Sequence, residues 1–126
     1  PHERDEIVSR FKNAAMHAKS ALTVVEIGGT IGAFQNALFI DAARVIHLQN
    51  PADVLFVMVS YMPIPGTIGE MKTKPTQNAI RQLNGYGVQP DILIARAALP
   101  LDDKRKEKLA IQVNVPAQHI ISAPDV

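Results

Sequence analysis

Cysteine does not occur among the 126 residues. That excludes disulfides, thiolate metal sites and a cysteine nucleophile, and it suits a reducing cytosol. An excess of charge is also missing: thirteen Lys and Arg stand against twelve Asp and Glu, a formal charge of +1. Such a balance gives no global field for nucleic acid or an anionic membrane, so any anion site must be local. The four histidines, His2, His17, His47 and His119, are scattered and never at zinc-ligand spacing, and they read as surface or capping residues. Long apolar runs are missing as well. Nothing approaches the roughly 20 residues that span a bilayer, and "PHERDEIVSR" lacks the apolar stretch of a signal peptide, so a soluble protein is expected. The first residue is Pro1, which suggests a chain that begins inside a longer product or was processed.

What is there suffices for one modest core, since 47% of the residues are hydrophobic. Ile7, Val8, Phe11, Ala14, Ala15 and Ala18 recur at helical spacing and predict an amphipathic helix over 5–19. "LTVVEI" reads as a short strand buried on both faces, "DVLFVMVSY" and "DILIAR" as two more of the kind, and "HIIS" as a weaker fourth. Helical patterns over 37–49, 76–85 and 101–111 fill the gaps. This alternation implies right-handed crossovers and an α/β fold with a mainly parallel sheet, as a single domain. The long loop 62–75, "MPIPGTIGEMKTKP", stands out as a functional candidate.

Three motifs invite chemistry. "GGTIG" after a strand suits either a tight turn or backbone N–H groups presented to phosphate. It matches neither the Walker A pattern nor the dinucleotide fingerprint. Glu26 closes an apolar run, where a buried, unpaired carboxylate would cost several kcal/mol. It is therefore paired, at the solvent edge, or bound to a cation such as Mg²⁺, with Arg96 or Lys74 as the rival ion-pair partners. "KTKPTQ" sets two lysines and two threonines before a helix, which reads either as a solvated loop with a cap or as a polyphosphate site. Open parallel sheets collect ligands beyond the carboxyl ends of their strands, so both segments are expected at one crevice.

Taken in order, "VVEIGGTIG", "GEMKTKPTQ", "GVQPDILIAR" and "NVPAQHIISAPDV" resemble the synthetase (amidoligase) domain of the CTP synthase family, roughly its second half, over nearly the whole chain. The resemblance implies a P-loop NTPase-like fold in which ATP phosphorylates UTP and ammonia displaces the phosphate to give CTP. It implies a glutaminase domain or other ammonia source as partner, a homotetramer, cytoplasmic localisation, and no role for nucleic acid or membrane. Residue by residue, it implies that Glu26 binds Mg²⁺. It further implies that Lys72, Thr73, Lys74, Pro75, Thr76, Gln77 and Lys108 bind UTP, partly across a subunit interface, and that Asp125 and Val126 lie beside the ATP adenine. No residue stands out as a general base.

The departures matter too. Where the family has Asp-Ile-Glu at a site for the inhibitory product CTP, this chain has Ala33, Phe34 and Gln35. Asn78 replaces a usual histidine, "ARAAL" a more polar stretch, and the loop before "GEMKTKPTQ" is longer. The family's phosphate loop and the aspartate that follows it are not found in these 126 residues. The chain alone is therefore expected to be inactive. The alternative is a diverged, non-catalytic nucleotide-binding or oligomerisation module.

Overall fold

The computed structural model describes residues 2–29, 34–63 and 71–125, with the backbone alone at 34 and 35. In chain order these form α1 (His2–Ala18), α2 (Phe34–Gln49), a short 3-10 turn (Pro51–Asp53), β1 (Val57–Tyr61), α3 (Lys74–Gly85), β2 (Ile92–Ala97), α4 (Asp103–Val113), a second 3-10 turn (Ala117–His119) and β3 (Ile120–Pro124). The α/β class holds. Contacts divide the chain into two units, Pro1–Val54 with Tyr86–Val88, and Leu55–Gly85 with Gln89–Val126.

In the first unit α1 carries Glu3 and Asp5 in its first turn, where the helix dipole favours negative charge. It stops where Lys19 takes a left-handed φ of 50° and the Ser20 N–H reaches back to the Ala15 carbonyl at 3.3 Å. Helices α1 and α2 pair through Phe11 and Phe39, whose rings stack with centroids 6.4 Å apart. Asp41 is shared between Arg44 at 2.9 Å and Arg4 at 3.5 Å. Lys12 donates to the Gln49 side chain at 2.7 Å.

The expected strand over 22–27 does not form. Leu22 and Val24 are largely exposed, and no strand among the described residues pairs with the segment. The physical reason is that a strand exists only by its ladder. Apolar, β-branched composition supplies the propensity but not the neighbour.

The second unit is a parallel sheet in the order β1-β2-β3. Its register pairs Val57 with Ile92, Val59 with Ile94, and Leu93 with Ile120. Asp91 fixes the start of that register: its carboxylate accepts from the Phe56 N–H, and its own N–H donates to the Phe56 carbonyl, both at 2.8 Å. Side chains alternate between the two faces. One face, with Leu93, Ala95 and Ile120, packs against Ile80 of α3 and Leu109 and Val113 of α4, and Met62 and Val115 complete the core. The other face does not match the expectation of burial on both sides, because Val57, Val59, Tyr61 and Ile121 are exposed. Both helices of this unit lie against a single face of the sheet, which leaves its second face without a cover in this unit.

Helix α4 begins at Asp102, whose side chain accepts the Arg105 N–H at 2.8 Å as an N-cap. It ends at Asn114 in the left-handed region, φ 58°, with the Asn114 N–H returning to the Ala110 carbonyl at 2.9 Å. No helix among the described residues is long and apolar enough to cross a membrane.

Candidate functional site

The carboxyl ends of the three parallel strands lie at one edge of the second unit, and the charged segment 72–77 follows the first of them. Beyond β1 the Met62 N–H donates to the Arg96 carbonyl at 2.7 Å. The Pro63 carbonyl then accepts from the Lys72 N–H at 2.9 Å. This bond brings the chain back to the strand end before α3 starts. Residues 64–70 of the long loop lie outside the described residues.

Thr73 is the last residue before the helix, and its carbonyl takes the Gln77 N–H at 3.0 Å. Pro75 falls in the first turn, where a missing N–H costs nothing. Thr76, 1% exposed, turns inward, and its hydroxyl lies 2.7 Å from that of Ser60 on β1. The helix start is thereby tied to the sheet. Lys72, Lys74 and Pro75 point to solvent, and neither lysine is ion-paired among the described residues. Two unpaired ammonium groups beside the positive end of a helix dipole form a local cationic site on a chain without net charge to spare.

Thr73 and Gln77 are held from the side. The Gln77 amide donates to the Thr73 hydroxyl at 3.2 Å, and that hydroxyl donates to the Gln112 side-chain oxygen of α4 at 3.1 Å. Gln112 lies one turn beyond Lys108, so the two share a face of α4. Lys108 is exposed. At the ends of β2 and β3, Arg96 and Asp125 approach to 3.9 Å, and the Asp125 N–H donates to the Ala97 carbonyl at 2.9 Å. Arg96 is therefore engaged with Asp125.

Glu26 belongs to the first unit and is exposed, so its carboxylate stays hydrated and the burial cost weighed from the sequence does not arise. It has no ion pair among the described residues. Gly29 does need its glycine: φ is +90°, and a Cβ there would come within 2.7 Å of the Asn36 amide. Thr30–Gly32 of the motif lie outside the described residues, as do Ala33, the side chains of Phe34 and Gln35, and Val126.

The structure thus gathers Lys72, Thr73, Lys74, Pro75, Thr76 and Gln77 at one helix start. Two partners of that segment escaped the sequence reading. Ser60 could have been found as the polar residue on the core-facing side of an apolar strand. Gln112 had no such signal, since a glutamine on a charged helix is unremarkable by composition.

The family model described as CTP synthase N-terminus matches residues 1–126, so the match is to the family's N-terminal region and not, as expected from the sequence, to a second half. The chain is 39% identical to a CTP synthase of Saccharolobus solfataricus, over 100% of this chain and 24% of that protein. It is 42% identical to a CTP synthase of Pyrococcus furiosus, over 100% and 23%. For a CTP synthase of Methanopyrus kandleri the identity is 39%, over 100% and 24%. The chain spans about a quarter of the length of these relatives. With every residue covered at this identity, the chain belongs to the CTP synthase family, in its N-terminal region.

Proposed function

We propose that the full-length protein carrying this chain makes CTP by ATP-dependent amination of UTP, a step of pyrimidine nucleotide biosynthesis, and that this chain supplies its uridine-nucleotide site. The observation that carries the reading is the helix start at Lys74, with Lys72 and Lys74 exposed and unpaired in front of a Thr76 locked to Ser60. A triphosphate is the ligand such a site favours, because two mobile cations and the helix dipole act on the same anion.

Phosphoryl transfer asks a protein mainly for positioning and charge neutralisation. Lys72 and Lys74 neutralise phosphate charge, Thr73 and Gln77 orient the nucleotide, and Lys108 adds a further cation. Thr76 acts from behind, because its hydroxyl is spent on Ser60. Asp125 and Val126 border the adenine side.

Glu26 fits the Mg²⁺ expected in the family: it is one hydrated carboxylate free of ion pairs among the described residues. No cluster of three or more acidic or histidine groups occurs among those residues. Glu26 would help hold the metal, whose chemistry there would be neutralisation of phosphate charge.

The chain is read as part of a single synthetase domain in the N-terminal region of the full-length protein. An ammonia-supplying glutaminase, a tetrameric assembly and a cytoplasmic location complete the proposal. The second reading, a diverged non-catalytic nucleotide-binding or oligomerisation module, is favoured by Ala33 and Gln35 in place of two carboxylates.

The test is thermal unfolding of the full-length protein with Mg²⁺ and UTP, with GTP as control. A ligand at about 100 times its Kd adds about 2.7 kcal/mol of stability, a clear rise in Tm. A UTP-selective, Mg²⁺-dependent rise is expected. Equal responses to UTP and GTP, or none to either, would defeat the proposal.

A further inference from the structure

Resting on the uridine reading above, we propose that Gln112 is a positioning residue for the nucleotide site, acting through the Thr73 hydroxyl. Thr73 has one hydroxyl proton and an oxygen that accepts. The proton goes to the Gln112 side-chain oxygen at 3.1 Å, and the oxygen accepts from the Gln77 amide at 3.2 Å. One side chain of α4 thus sets the rotamer of Thr73, and Thr73 sets that of Gln77. Without Gln112, the Thr73 hydroxyl is free to turn, and Gln77 loses the fixed acceptor that aims it.

The placement argues for function over stability. The core of this unit is built from Met62, Ile80, Leu93, Leu109, Val113 and Val115, and Gln112 is not among them. It is exposed, and Thr73 is only half-buried, so the bond between them contributes little to folding. Its effect falls instead on two side chains of the cationic segment. Because Lys108 stands one turn earlier on the same face of α4, that face addresses the site twice, once by charge and once by fixing Thr73.

The test is steady-state kinetics of the full-length enzyme carrying Gln112→Met, which keeps the length and removes the acceptor. KM for UTP should rise about 3- to 10-fold, the range for one neutral hydrogen bond, with Tm unchanged. The kcat and the KM for ATP should stay within about twofold, a split that a general loss of structure would not give. Combining Gln112→Met with Thr73→Val should raise KM for UTP no further than Thr73→Val alone, since both remove the same bond. Thr73→Ser, which keeps the hydroxyl, should restore the sensitivity to Gln112→Met.

A UTP KM unmoved by Gln112→Met would overturn the inference, as would a parallel fall in kcat and worsening of both KM values. Effects of Gln112→Met and Thr73→Val that multiply independently would overturn it too. Lys74→Ala serves as the reference. If it weakens UTP use while Gln112→Met does not, this inference alone fails; if neither does, the uridine reading falls and takes this inference with it.

Discussion

The hydroxyls of Ser60 and Thr76 lie 2.7 Å apart, joining β1 to the first turn of α3 just inside the cationic segment. Among the described residues Thr76 is the one polar residue with a fully buried side chain, and this bond satisfies it. Thr76→Val keeps the shape and removes the hydroxyl, leaving Ser60 without its partner. A loss of about 1–3 kcal/mol in stability is expected by urea unfolding. The double variant with Ser60→Ala should lose less than the sum of the two single variants, because no half-satisfied pair remains.

Lys74→Ala removes an exposed cation at the helix start. UTP binding by the full-length protein should weaken by at least about 1.5 kcal/mol, roughly tenfold, the low end for a charge-assisted bond. Isothermal titration with UTP measures it, and an unchanged titration would reject the assignment.

On the proposed reading, Ala33 and Gln35 replace two carboxylates at a site for the inhibitory product. CTP should therefore inhibit the full-length enzyme weakly, and Ala33→Asp with Gln35→Glu should lower the CTP concentration needed. Strong inhibition of the unsubstituted enzyme, measured by CTP titration of initial rates, would defeat the idea.

Asn114 ends α4 at φ 58°, where a Cβ without a polar side chain is strained. Asn114→Ala should cost about 1 kcal/mol and Asn114→Gly should be neutral or slightly stabilising. Chemical denaturation of the two variants decides it, and a destabilising glycine would contradict the account.

Periodicity located all four α-helices of the described residues, with ends displaced by a few residues: α1 starts at His2 and α2 at Phe34, each three residues before its expected start. For α1 the reason is its polar first turn, His2 to Asp5, which carries no apolar stripe to read. Three of the four strands were legible because each apolar run has a neighbour to bond. The run at 22–27 was legible only as a composition, and its Leu22 and Val24 remain exposed. "KTKPTQ" announced a site through its charges and its proline. That Thr76 faces the core while Lys72 and Lys74 face solvent followed only once the helix had a direction and a sheet to lie on.

The sequence by itself determined the α/β alternation, the local cation cluster, the lack of any thiol within these 126 residues and, through its motifs, the family. These are properties of residue type and spacing along the chain, and they need no partner. Tertiary structure alone decided that 22–27 stays out of the sheet and that one sheet face is left exposed. It also brought Gln112, 39 residues from Thr73, to hold that side chain. Ladders, covered faces and hydrogen bonds between distant side chains are relations between segments, and they exist only when folding supplies both members.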